Sequence, residues 1–431
     1  MLKRPYLCII QLGMCLLAGS APAWCQASVI DPVRGRTVEE LVDIALRQNG
    51  NVLVMQQRVA AAQGGLVQAR LRPNPTVDLS GMQEYRGPMN SFMVGASIPL
   101  ELFGRRDRRI EVAERGLTVS EFERSDVNRQ LRAEIASKFG DVLAASQSLQ
   151  FTMDLLKVNR DALRLTEARA EQGAIPTLDA SLLRVEVNRI DSLRAEAESR
   201  LGVALLELKS LVGMKPDEDL RLRGTLESSG STVPNEDLMA RALDRNDLKA
   251  LRAAEEAASA RIRQAQTEGK LDASLSGSFQ RMDSGFPLNG LTSLGQPTRI
   301  QGIFNLATIG VSIRLPTRNR NEGAIATAVA DLAAAKRQRE YAELIVTREV
   351  ASALLQQSKA KEGLDIYGPG VRDQARDNLA VIRRVYELGR SQLLDVIAEQ
   401  RRLIEIETSY IDTLNRYYQA SVRLRLAAGI E

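Results

Sequence analysis

EQGAIPTLDA, from Glu171 to Ala180, and ELGRSQLLDV, from Glu387 to Val396, decide how this chain is built. Each sets a glycine, Gly173 or Gly389, in a short break between two long helix-forming runs. An aspartate, Asp179 or Asp395, follows in what reads as the first turn of the next helix. Glycine supplies the left-handed backbone that ends a helix, and acids favour the positive end of the next one. Two tight helical hairpins are expected, and their flanks match as well. RAEIAS (Arg132–Ser137) answers REVAS (Arg348–Ser352), and VGASIPL (Val94–Leu100) answers IGVSIRL (Ile309–Leu315). VDLSG (Val77–Gly81) answers ASLSG (Ala273–Gly277), and LVDIALRQN from Leu41 answers LMARALDRN from Leu238. A repeat of about 200 residues lies far outside the periods of roughly 20 to 50 that mark solenoids and propellers, so this is a duplicated domain.

Each half mixes amphipathic helix with short alternating strands. Val77 and Leu79 alternate with Asp78 and Ser80; Phe92, Val94, Ala96 and Ile98 alternate with Met93, Gly95 and Ser97. Leu275 and Phe279 in the second half, and Ile309, Val311 and Ile313, behave likewise. Runs of about 8 to 11 residues suit tilted strands of a membrane barrel, or a half-buried strand pair capping a soluble helical domain. Four strands cannot close a barrel, so a membrane role requires several chains. Helices are expected over Val38–Leu71 and Glu236–Glu268 before the strands, and over Phe103–Glu171 and Arg318–Glu387 after them. Beyond the turns they run over Thr177–Val212 and Leu393–Ala428. At 1.5 Å per residue a helix of about 68 residues spans roughly 100 Å, nearly the sum of its two shorter neighbours. Each half is thus expected to be a two-column rod with strands at one end and a turn at the other. Gly368-Pro369-Gly370 must kink or break the second long helix.

The remaining sequence bounds compartment and class. Lys3 and Arg4 precede an apolar run from Leu7 to about Leu17 and the small-residue pattern Ala21-Pro22-Ala23, with a second cut possible after Ala27; this reads as a secretory signal over residues 1–27. Cys8, Cys15 and Cys25 all lie in or beside it, and Trp24 before Cys25 argues against lipidation. Residues 28–214 form the first repeat, 215–235 a linker and 236–431 the second repeat. Aromatics at 4% and charged residues at 26% suit long helices packed through narrow seams rather than a thick globular core. A net charge of +4, with arginines interleaved among acids, gives no reason to expect nucleic acid.

The turn motifs AEQGAIPTLDA (Ala170–Ala180) and YELGRSQLLDVIAEQ (Tyr386–Gln400) resemble those of the TolC-like outer membrane efflux proteins. LRPNP (Leu71–Pro75), PLELFGRRDRRI (Pro99–Ile110) and RLPTRNRNEGAI (Arg314–Ile325) are similar to the CzcC-type branch that serves heavy-metal exporters. The resemblance implies a mainly α fold with a small β part, in a homotrimer of duplicated helical hairpins. Four strands per chain would make a shared twelve-stranded β-barrel in outer membrane lipid, continued by a periplasmic α-barrel. The tip at Gly173 and Gly389 would dock a periplasmic adaptor linked to an inner-membrane RND-type pump, and the duct would be passive, gated at that tip.

The resemblance also assigns gate residues. Tyr386 would bond Asp179 of the neighbouring hairpin, and Asp395 would form a three-fold acidic ring that repels itself and attracts cations. The family's latch arginine and second aspartate are replaced by Ser391 and Ala398, with Arg390 adjacent. Without the family, Asp179 and Asp395 read as helix-start acids, Gly173 and Gly389 as turn glycines, and Tyr386 as a packing residue. Arg105, Arg106, Arg108 and Arg109 would line the duct, meet lipid phosphates or sit in solvent. The chain has no histidine, so no imidazole or, once the signal is cut, thiolate site is expected, and no cofactor or enzymatic motif is found. The leading reading is a metal-cation exit duct; the alternatives are a duct for drugs or other organic compounds, and a soluble periplasmic coiled-coil scaffold.

Overall fold

The computed structural model describes residues 29–85, 87, 89–227 and 237–430. The expected signal, residues 1–27, with Cys25, lies outside the described residues. Helix α1 (Val38–Gln48) opens on a capping box, with Thr37 Oγ1 accepting from the Glu40 amide and Glu40 Oε2 from the Thr37 amide. The single helix expected over Val38–Leu71 is in fact two, because the chain turns extended at Asn49 before α2 (Gly50–Arg70). The Asn49 side chain accepts from the amides of Asn51 (2.9 Å) and Val52 (3.3 Å) and donates to Leu211 O (2.8 Å). A side chain that caps a new helix and grips a distant strand of backbone outcompetes one more helical turn. The helix expected over Glu236–Glu268 is likewise split into α5 (Leu238–Leu243) and α6 (Asn246–Glu268). There the buried Arg245 turns inward to Asp247, Glu349 and Ala427 O.

Four antiparallel strands, β1 (Thr76–Gln83), β2 (Asn90–Leu100), β3 (Asp272–Leu291) and β4 (Pro297–Arg314), form one sheet in chain order. The second pair is much longer than its sequence suggests, at 20 and 18 residues. Beyond Phe279 the alternation fades into Gln280, Arg281 and Asp283, yet backbone pairing continues past Gly285, with a register shift between Phe286 and Asn289. Main-chain hydrogen bonds do not require the side-chain pattern.

The 67-residue helix α3 (Arg105–Glu171) spans roughly 100 Å and is followed by α4 (Thr177–Val212). Helices α2 and α6 pack beside its sheet-proximal part and α4 beside the rest, giving the expected two columns. In the second half α7 (Glu322–Ile366) passes through one π-helical turn (Tyr367–Val371) into α8 (Arg372–Glu387), and α9 (Leu393–Ala428) returns. The expected break is thus a local one, taken up where Gly368 leaves helical geometry at φ −53° and ψ −142°.

The half-exposed arginines at the start of α3 find partners within the chain. Antiparallel packing sets this positive helix end beside the negative ends of α2 and α6, whose last carbonyls lack helical partners. Arg106 donates to Arg70 O (2.7 Å), and Arg109 to Ala69 O (3.1 Å) and Leu71 O (3.0 Å) while pairing with Glu101. Arg105 reaches Glu268 O, Lys270 O and Leu271 O and pairs with Asp272; Arg108 bonds Glu111. Arg105, Arg106 and Arg109 clamp the helices to the base of the sheet. At the corresponding place in the second half, Asn321 Nδ2 donates to Ala265 O (2.9 Å).

The main core lies midway along the rod, where α1 and the end of α4 meet the middle of α3 and of α9. Part of the expected linker belongs to it: Leu222 bonds backbone to backbone with the segment from Val29 to Asp31, and Leu220, Leu222 and Leu226 are buried. Residues 228–236 of that linker lie outside the described residues. Gly140 of α3 packs directly against Tyr418 of α9, where a β-carbon would stand 2.3 Å from the ring. Burial pushes the Tyr418 phenol up to about 12, so it stays neutral. Gly140→Ala gains helix propensity of about 1 kcal/mol but overpacks this contact by about 1–3 kcal/mol. A lower thermal unfolding midpoint is expected, read by circular dichroism of the purified protein.

Candidate functional site

Residues paired across neighbouring strands share a face of a sheet, so the register sorts every side chain. Leu79 stands opposite Val94 and Val94 opposite Phe279; Ile98 stands opposite Leu275 and Leu275 opposite Val311. The other face carries Ser97, Ser276, Ser278 and Ser312 with Gly95 and Gly310. Exposure is inverted from that of a soluble protein. Along β2 the apolar Phe92, Val94, Ala96 and Ile98 are the exposed residues, and Ser91, Gly95 and Ser97 the sheltered ones. Leu79 is 68% and Ile309 85% exposed.

Among the described residues no helix covers this apolar face, which a soluble cap would need, and an uncovered patch of that size marks contact with something apolar. The apolar face includes Ile303 and Ile313, ten residues apart on β4, which at about 3.4 Å per residue and a tilt near 40° give roughly 25 Å of height. Arg281 and Asn305, paired with each other, interrupt it on the loop side. Among the described residues no helix is long and apolar enough to cross a membrane. The sheet carries that role. Val311→Arg on the apolar face costs about 2–4 kcal/mol near mid-bilayer, whereas Ser278→Arg on the polar face leaves insertion intact; the yield of each variant in the outer membrane fraction checks the assignment.

At the opposite end both hairpins close with one geometry. Gly173 has φ +71° and Gly389 φ +69°. Ala174 N bonds Arg169 O (2.9 Å) and Gly173 N bonds Ala170 O (3.0 Å); Arg390 N bonds Val385 O (3.0 Å) and Gly389 N bonds Tyr386 O (2.8 Å). This double bond pattern satisfies the last carbonyls of α3 and α8. No atom lies within 4 Å of either missing β-carbon, so backbone sign alone demands glycine.

Two of the sequence-predicted residues meet. Tyr386 Oη donates to Asp179 Oδ2 at 3.4 Å, joining the second hairpin to the first. Burial, and then the Asp179 charge, push the Tyr386 phenol up, which keeps it a protonated donor. Leu183 of α4 packs there with Leu393 and Ile397 of α9, and Tyr386 leans on them. Sequence reading missed this apolar trio, although Leu393 and Ile397 stand at helical spacing. Asp395 and Arg390 are not brought to any partner hairpin. Asp395 accepts from the Gln392 amide at 3.0 Å and is exposed; Arg390 is exposed and pairs with no carboxylate among the described residues. Also among the described residues, no three His, Cys, Asp or Glu side chains gather to hold a metal ion.

The sequence pattern of the family described as "outer membrane efflux protein" matches residues 41–214 and again residues 238–430. The chain belongs to the outer membrane efflux protein family. It is 25% identical over 395 residues to the cobalt-zinc-cadmium resistance protein CzcC of Cupriavidus metallidurans, covering 91% of this chain and 90% of that one. It is 26% identical over 182 residues to the nickel-cobalt-cadmium resistance protein NccC of Alcaligenes xylosoxydans xylosoxydans, covering 40% and 41% of the two chains. The solved structure of CusC superposes with a TM-score of 0.75 at 19% identity, over 91% of this chain and 92% of that one. This efflux protein is therefore a channel component of the outer membrane that reaches into the periplasm, and not an enzyme. The soluble-scaffold reading fails, overturned by the family match and by a sheet whose apolar face is the exposed one.

Proposed function

We propose that three copies of this efflux protein form the exit duct of a tripartite system that expels heavy-metal cations such as cobalt, zinc or cadmium. The observation that carries the duct is the sheet with its apolar side out and small polar side in. Its strands β1 and β4 each have one unpaired edge, and hydrocarbon tolerates no unpaired backbone. Pairing β4 of one copy with β1 of the next closes twelve strands around a polar lumen. The helices then extend the lumen by roughly 100 Å toward the cell interior. A periplasmic adaptor docks at the turns around Gly173 and Gly389, and an inner-membrane RND-type pump supplies the energy.

The cargo rests on the relatives. CzcC, similar along nine-tenths of both chains, and NccC carry metal resistance in their names. The duct itself offers carboxylates and water rather than soft ligands, so metal selection falls to the pump or adaptor. At the tip, Tyr386 and Asp179 hold the hairpins together, and Asp395 from three copies forms an acidic ring at the constriction with Arg390 beside it. A ring of like charges attracts cations.

A clean deletion strain is expected to become hypersensitive to cobalt, zinc or cadmium while keeping its tolerance of dyes and antibiotics. Sensitivity confined to organic compounds would keep the duct and replace its cargo. Asp395→Asn is expected to lower cation-over-anion permeability, measured as a shift of reversal potential across a planar bilayer under a salt gradient.

A further inference from the structure

The seam between the hairpins contains a shorter bond than the one between Tyr386 and Asp179, and both of its partners are charged. Glu186 lies on α4 seven residues beyond Asp179, hence on the same helix face. Its side chain is 1% exposed. Arg189 of the same helix reaches both carboxylate oxygens, with Nη2 2.6 Å from Oε1 and Nε 3.1 Å from Oε2. Arg401 of α9, in the other hairpin, donates to Oε2 as well, with Nη2 at 3.0 Å and Nε at 3.3 Å. We propose that Glu186 and Arg401 are the principal latch between the two hairpins near the tip.

Three features support this assignment, which rests on the reading of the tip as a gate. The bond sits between the apolar cluster of Leu183, Leu393 and Ile397 on one side and that of Val187, Ile190 and Ile404 on the other. Glu186 is buried, and the bond to Arg401 pairs two charges at 3.0 Å, whereas a neutral phenol reaches its carboxylate at 3.4 Å. Burial pushes the Glu186 carboxyl up, but hydrogen bonds from Arg189 and Arg401 outweigh it and hold the group below its usual range, ionised.

Each hairpin is also stapled within itself at corresponding places, by Arg160 with Asp191 in the first (3.0 Å) and Arg376 with Glu407 in the second (2.5 Å). The third feature is reversibility. If the hairpins part, Arg189 stays with Glu186 because both are on α4, so no bare charge is left in the seam. Arg401, 58% exposed, passes into water. A bond built in this way can break and re-form without stranding an ion.

The test is single-channel conductance of the full-length protein in planar phospholipid bilayers. Arg401→Ala is expected to raise conductance several-fold with the thermal unfolding midpoint near that of the wild type, and Arg401→Lys to restore part of the closed level. Arg189→Ala keeps the bond across the seam and is expected to conduct like the wild type. Wild-type conductance of Arg401→Ala overturns the latch, and so does an Arg189→Ala channel that opens as far as Arg401→Ala. Tyr386→Phe and Asp179→Ala separate the two levels of the argument. If they open the channel and Arg401→Ala does not, the gate stands and the latch falls; if none of the three opens it, both fall.

Discussion

Backbone amides and carbonyls at a sheet edge have no partner in hydrocarbon, and this constraint shapes the molecule from one end to the other. The four strands end in two open edges. In the proposed trimer each edge meets that of another copy, and the helices that follow are carried round the same axis. The inverted exposure of β2, with Phe92 and Val94 outside and Ser91 and Ser97 sheltered, is the local signature of that constraint. It explains why so much apolar surface is tolerated on a chain only 4% aromatic.

Carrying strand into helix at the base of the sheet poses a second backbone problem. Helices α2 and α6 end there with unpaired carbonyls, and the start of α3 answers with side chains instead of with a loop. Arg105, Arg106 and Arg109 each reach main-chain oxygens of the neighbouring helix ends. The unfavourable placement of four arginines near a positive helix end is resolved once the antiparallel neighbours are in place. Their charge complements the opposite dipoles, and a guanidinium can bridge two carbonyls where an ammonium would serve one direction poorly.

Much of this was legible in the sequence. Duplication, the strand faces and the two glycine turns follow from local patterns; the meeting of Tyr386 with Asp179 was implied only by the resemblance of the motifs around Gly173 and Gly389 to a family. What escaped depends on partners remote in sequence. Asn49 breaks a helix because Leu211 O, more than a hundred residues away, accepts its amide. β3 runs on past Phe279 because β4 is there to pair with it. Glu186 reads as one more acid among the alternating charges of α4, and only the approach of α9 buries it. A helix-period pattern marks which residues share a face, but a face of mixed Glu and Arg does not announce what it will touch.

The two halves share ancestry in sequence but differ mechanically. Helix α3 runs unbroken for 67 residues, whereas the corresponding column of the second half passes through the π-helical turn at Tyr367–Val371. A continuous α-helix resists bending along its whole length; one interrupted by a turn with Gly368 outside helical geometry concentrates compliance at that point. The duplicated chain is thus a stiff strut joined to an articulated one. A ring of three such chains would alternate rigid and jointed staves, so that its diameter at the tip could change while half of its staves remain fixed.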